Sequence, residues 1–289
     1  MHVYITTFEG KSRKFESMTK GMILGMVFIL LGWTNGLFAQ TKTTTPAAKT
    51  ATPAATTTAT ATQTAPNKKD AQGRKVGLWA VTFPGTNVIK YKGNFVNGKP
   101  QGEFLHYYET GKLQCKMVYA KDGKTSRAIF YHENGKMMSQ GKYINQKKDS
   151  IWTFYDERGL LSSREGYLND LQEGAKLVYY ESGTISEKIN YKSGKRNGEW
   201  LRYFEDGKVM VKGAYKDDLM VGEIFYYRPN GKVMLREFYL NGKLEGVRIA
   251  YNDEGKEEAR GYYKAGKQLK GKEEEAYIKE MEARKTQPK

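Results

Sequence analysis

The chain has 289 residues, a formal net charge of +16, 39% hydrophobic and 13% aromatic residues, and a mean hydropathy of −0.71. That is too polar for a multi-span membrane protein and too aromatic for a generic disordered chain. A single cysteine, Cys115, excludes an intrachain disulfide, a cysteine zinc site and an iron–sulfur cluster, and three histidines, His2, His106 and His132, leave little for a His-based metal site or triad.

The first feature along the chain is Met22 to Leu31, ten apolar or Gly residues in a row, preceded by Lys20 and followed by Gly36-Leu37-Phe38-Ala39-Gln40. A basic flank, a short apolar stretch and a small residue at the scission point predict a secretory signal peptide over 1–39, cut after Ala39. The run falls short of the ~20 apolar residues that a spanning helix needs. Residues 1–17 add little to such a signal, so Met18 is expected to be the start. The pattern predicts an exported protein, placed in the periplasm, at the cell envelope or outside. Residues 40–72 follow, dominated by a Thr/Ala/Pro tract from Thr41 to Pro66 with no aliphatic residue larger than Ala. Such a tract cannot bury enough surface to offset its chain entropy, and a flexible linker is expected.

A repeat fills residues 73–269. Its anchors are Gly77, Gly102, Ser126, Ser150, Gly174, Gly198, Gly222 and Gly246, spaced by 25 and then by 24 six times. A tyrosine ladder (Tyr107, Tyr131, Tyr155, Tyr179, Tyr203, Tyr227, Tyr251) and a glycine ladder (Gly111, Gly135, Gly159, Gly183, Gly207, Gly231, Gly255) keep the same period. A second aromatic ladder runs from Phe95 and Tyr119 to Tyr263. A period of this length marks a repeat architecture. Each unit reads as two short strands joined at the ladder glycine. The turn is either a two-residue one or a type I turn whose third loop residue is a left-handed Gly forming a bulge, and Pro229 favours the second. The bulged register places Leu105, Tyr107, Leu113, Cys115, Met117 and Tyr119 on one largely apolar face. The expected fold is all-β: an elongated single-layer antiparallel sheet of eight tandem 24-residue hairpins. It should rise ~10 Å per repeat. Residues 270–289, rich in helix formers, are expected to supply a terminal helix that covers the open edge.

The stretch Gly198-Glu199-Trp200-Leu201-Arg202-Tyr203-Phe204-Glu205-Asp206-Gly207 resembles the core of a MORN repeat in its bacterial variant form, as does Gly102 to Gly111. The resemblance covers about residues 73–266. It implies a binding or scaffold role, and proteins with this variant often carry the label of YwqK-type antitoxins. An export signal departs from an antitoxin that works in the cytosol.

No phosphate loop, dinucleotide fingerprint, nucleophile elbow or metal-binding His pair is present in the sequence. His106 and His132 read as substitutions within a strand face, and Cys115 as a small buried thiol. No cofactor, metal or small-molecule substrate is expected. The more informative row stands on the second sheet face: Lys116, Gln140, Arg164, Lys188, Lys212, Arg236 and Arg260, cationic at six of seven positions. The bulged register sets Phe104 opposite Lys116, Trp152 opposite Arg164 and Trp200 opposite Lys212. Cations interleaved with rings, together with Lys188, Arg236 and Arg260, make a candidate binding face. A further set, Lys112, Lys136, Lys208, Lys232 and Lys256, follows the turn glycines. The bland alternative is that these rows keep the sheet soluble. The partner would be a protein or an anionic envelope component, a lipid head group or polymer, with contact at a membrane surface compatible. Export argues against nucleic acid. The leading reading is an exported, non-enzymatic, protein-binding scaffold of the envelope. An antitoxin or immunity protein and an envelope-modifying enzyme stay as alternatives.

Overall fold

The computed structural model describes residues 66–285, so the signal-peptide segment and nearly all of the linker lie outside the described residues. The described chain is a 19-stranded antiparallel sheet in which strands pair with their neighbours in sequence, except that Lys243–Leu244 and Gly246–Tyr251 both pair with Val233–Leu240, followed by helix α1 (Lys272–Lys285). Eight hairpins make up the sheet, for example Lys99–Tyr107 with Leu113–Tyr119.

Local backbone chemistry explains the repeat. Inside seven of the eight units the turn is the bulged one, and the first unit has a longer turn from Phe83 to Val88. Gly111 N–H donates to the Tyr108 carbonyl at 2.9 Å, and Tyr108 N–H donates to the Lys112 carbonyl at 2.9 Å. All seven ladder glycines have φ between 80° and 87°, a region that costs other residues about 1–2 kcal/mol. Between units the usual connection is a two-residue turn with both residues left-handed, as at Asn97-Gly98 (φ 51° and 79°) and Asn241-Gly242 (φ 51° and 75°). Such turns match the natural twist of paired strands.

The anchors serve a second bulge. Asn94 pairs with Gln101 and Gly93 with Phe104, so Gly102 and Glu103 oppose nothing on that side, and Gly102 takes φ 70°. Ser150 occupies the same place with φ 62°. Ser126 does not. There the connection runs through Lys121 to Lys124, and the strands pair continuously from Tyr119↔Ser126 to Cys115↔Phe130. The longer turn supplies the residues that the bulge supplies elsewhere. Ser150→Gly is therefore expected to stabilise the array by about 0.5–1 kcal/mol. Ser126→Gly is expected to give no gain, both measured by urea denaturation.

A third irregularity corrects the expected faces. Tyr107 pairs with Leu113 but His106 with Cys115, so Gln114 is an extra residue on the second strand. The same shift recurs at Met138, Ser162, Ser186, Met210 and Met234. One added residue exchanges the partners of everything beyond it. Phe104 therefore lies across from Met117 and shares the inner face with Cys115 and Tyr119. Leu105 and Tyr107 go to the outer face, where Leu105 pairs with Lys116.

The core is one side chain thick. Extensive contacts link only strands that are adjacent in the sheet, so among the described residues no second layer covers the inner face. Side chains bury one another by lying along the strands. Trp152 is 1% exposed because its ring lies over Gly141, where a Cβ would stand 2.2 Å from the indole. Phe104 covers Gly93 and Ile224 covers Gly213 in the same way, at 2.4 and 2.3 Å. Tyr143 closes on Trp152 edge-on at 4.9 Å, with Phe130 and Phe154 alongside.

At each end of the sheet a short segment packs against the last hairpin. At the C-terminal end Tyr277 of α1 packs edge-on against Tyr262 at 6.4 Å and donates its hydroxyl to Glu245 at 3.4 Å. At the other end the sheet starts before residue 73. Lys68–Lys69 pair with Lys75 and Val76. The Asn67 side-chain amide donates to the Ala80 carbonyl and accepts from the Ala80 N–H, each at 2.9 Å. An edge strand must satisfy its open backbone groups, which draws the last residues of the expected linker into the fold.

Candidate binding face

The outer face carries the cationic row, set on an apolar layer. Lys188 lies between Leu177 and Leu201, Lys212 between Leu201 and Phe225, and Arg236 between Phe225 and Ile249. Arg164 faces Thr153, and Arg260 faces Ile249. The row is uneven in charge. Carboxylates pair with Lys116 (Glu103, 2.5 Å), Lys188 (Glu199, 3.6 Å), Arg236 (Glu223) and Arg260 (Glu257, 2.5 Å). The Glu103 carboxylate raises the Lys116 ammonium above its ordinary range. Exposed pairs of this kind contribute little to folding, but they do neutralise the row locally. Arg164 and Lys212 are exposed and have no ion-pair partner among the described residues.

Phe104, Trp152 and Trp200 are not on this face. They are buried on the inner one, so the expected pairs with Lys116, Arg164 and Lys212 do not form, because of the extra bulge residue. Trp152 and Trp79 instead meet lysines four residues earlier in the chain, whereas Pro100 holds that place before Phe104. Lys148 Nζ stands 4.8 Å from Trp152 and about equally near Phe154 (5.2 Å) and Tyr167 (5.0 Å). Lys75 lies 4.4 Å from Trp79, and Arg196 lies 4.2 Å from Tyr215, which packs against Trp200. The indole N–H of Trp152 donates to the Lys142 carbonyl at 3.1 Å, and that of Trp200 to Glu187 at 2.8 Å. The aromatic groups that do accompany the outer row are ladder tyrosines. Lys92 stands 5.9 Å over Tyr107, Gln140 donates to the Tyr155 hydroxyl at 3.4 Å, and Arg236 bonds Tyr251.

Two ion pairs on the inner face, one buried and one half-buried, escape a reading of the sequence alone. Glu237 and Arg248 meet at 2.8 Å with side chains 4% and 5% exposed, and Tyr239 also donates to Glu237. Glu165 meets Lys176 at 3.0 Å and accepts from Ser163 (2.9 Å), Tyr167 (2.7 Å) and Gln172 (3.0 Å). Burial pushes the Glu165 carboxyl up, but the bonds from Tyr167, Lys176 and Ser163 together outweigh it and hold the group below its ordinary value. A lowered folded pKa stabilises above the unfolded value and is lost as pH falls. The chain is expected to lose stability as pH drops through about 4.3 and below. Glu165→Gln should flatten that part of a stability-versus-pH curve. A signal for these pairs does exist. Glu165 and Glu237 stand where other units have Gly141 and Gly213, and Lys176 and Arg248 stand where others have Trp152 and Trp200.

The remaining candidates have structural surroundings. A ring nitrogen of His132 lies 3.2 Å from the Tyr155 carbonyl, the place where the Tyr108 and Tyr180 hydroxyls bond the Tyr131 and Tyr203 carbonyls at 2.7 and 2.6 Å. His106 leans on Tyr91 at 5.8 Å, and burial lowers its pKa. Burial pushes the Cys115 thiol up to about 12, far from a reactive thiolate. Among the described residues no three His, Cys, Asp or Glu side chains converge as a metal site would require.

Residues 100–121, 124–145, 172–193 and 196–217 match the family model described as MORN repeat variant. Each match begins two residues before an anchor and spans one hairpin. No curated protein matches the chain. Among solved structures the chain is similar to the Photorhabdus luminescens Tc holotoxin pore, at 14% identity over 68% of this chain and 13% of that one, with a TM-score of 0.17. It thus spans a small fraction of the length of that protein. The four matches coincide with the hairpin period seen in the fold, and the repeat is generally a non-catalytic binding module. The chain is a MORN-repeat protein.

Proposed function

We propose that this chain is an exported, non-enzymatic scaffold of the cell envelope that binds a partner protein through the outer face of its sheet. One observation carries the reading: the outer face carries a cation at six of the seven row positions over an apolar layer, with Leu78, Val118, Ile151 and Phe238 left exposed among the charges. Exposed apolar side chains beside arginine suit a protein contact, whose buried core needs both. An anionic polymer or head group would use the charges alone. Export rests on the pattern of residues 1–39, and the non-enzymatic reading on the character of the repeat family.

The test is a crosslinking pull-down of the mature chain from its own envelope, read by mass spectrometry. A second arm uses a chain with glutamine at 116, 164, 188, 212, 236 and 260. The reading expects a defined partner protein that is lost or strongly depleted in the second arm. Equal recovery from both would return the row to a solubility role. A toxin as the captured partner would make the chain an immunity protein.

A further inference from the structure

On the outer face the position after the anchor is acidic in three units and holds Leu78, Arg127, Ile151, Ala175 and Val247 in the others, where Arg127 alone sets a cation. At the position after the anchor, Glu103, Glu199 and Glu223 supply carboxylates to Lys116, Lys188 and Arg236. In the third and fourth units that position holds Arg127 and Ile151. Arg127 stands directly across from Lys142. Like charges opposed in a sheet repel. Asp149 faces Lys142 from the other side, but its carboxylate accepts from the Ser150 hydroxyl at 2.9 Å, and no ion pair forms. Arg127, Lys142 and Arg164 all lack an ion-pair partner among the described residues. They border a concavity of about 580 Å³ that also includes Gln140, Ile151 and Thr153, with no carboxylate in its lining. Ile151 is 56% exposed, the most exposed large apolar side chain among the described residues.

We propose that this concavity seats an acidic segment of the partner protein. Its carboxylates would meet Arg127, Lys142 and Arg164, and an apolar side chain would cover Ile151. Two arginines suit carboxylates because each guanidinium presents a planar fork of donors. The exposed isoleucine marks the occupant as an amphipathic peptide rather than a bare oxyanion. The local repulsion fits as well, since chains break their own folding rules where a site is kept for a ligand. The inference rests on the binding reading above and names where, and by what chemistry, the partner is held.

The probe is a fluorescent peptide of about a dozen residues alternating Asp or Glu with Leu, titrated into the full chain and followed by anisotropy. Saturable binding is expected, weakened at least about tenfold by Arg127→Glu with Arg164→Glu and several-fold by Ile151→Ser. Lys216→Glu, at an exposed lysine outside the row, should change affinity less than twofold. Arg127→Glu alone should weaken binding while keeping or raising the melting temperature, because it sets a carboxylate opposite Lys142. Three results would each overturn the proposal: no saturable binding, an equal loss from Lys216→Glu, or binding of tripolyphosphate or phosphatidylserine vesicles at these residues in place of the peptide. The double variant also enters the envelope pull-down. If it recovers the same partner as the parent chain, the concavity is excluded while the binding reading stands. If the parent chain itself recovers none, the binding reading fails.

Discussion

Arg248→Met is expected to destabilise the C-terminal repeats by about 3–5 kcal/mol, because it leaves the Glu237 carboxylate buried without its cation. The two side chains are 5% and 4% exposed and meet at 2.8 Å on the inner face. Tyr239 donates one further bond to Glu237, which cannot replace a full charge. Replacing both residues by leucine should recover most of that loss, since a well-packed apolar pair substitutes for a buried ion pair at little net cost. The measurement is denaturation followed by tyrosine fluorescence, with each variant compared with Glu237→Leu in a double-mutant cycle. What the pair then provides is register. A sheet built from near-identical units could pair one unit out of step, and a lone Glu that finds Arg in only one alignment penalises the slip.

Gly141→Ala is the second large effect, expected to cost about 3 kcal/mol or more. The added carbon would stand 2.2 Å from the Trp152 ring. That ring cannot retreat: its N–H bonds the Lys142 carbonyl, Tyr143 closes one edge, and Lys148 lies 4.8 Å over it. Trp152→Ala should cost about 3–5 kcal/mol by itself. The two substitutions combined should cost clearly less than their sum, because each removes the reason for the other's penalty. Additive losses would mean that the ring and the glycine are not the complementary pair that the core requires.

The repeat, its phase and the turn type were legible because each depends on a residue with a special backbone. Gly111 and its equivalents hold a left-handed φ, and Pro229 favours the type I turn that precedes it. The faces were not legible. They turn on the extra residue beside the turn of each hairpin, and that residue is Gln114, Met138, Ser162 or Met210 in different units. No shared chemistry marks it, because the position needs only to be bypassed by the ladder. The consequence reached the candidate site directly. Lys116, Arg164, Lys188, Lys212, Arg236 and Arg260 do form one outer row, but Phe104, Trp152 and Trp200 are core residues. The inner glycines were equally hidden, since Gly93, Gly141, Gly213 and Gly261 share their position with Met117, Glu165, Ile189 and Glu237. A ladder with so many different occupants emerges only once the partner across the strand is known.

The separation of the two faces is the central claim, and in-cell photocrosslinking tests it most directly. A photoreactive residue at 164 stands on the outer face, and one at 167 stands on the inner face three residues away. The account predicts a specific adduct with a partner protein from position 164 and none from position 167. An adduct from 167 with none from 164 would contradict it and make the tyrosine-lined inner face the working surface.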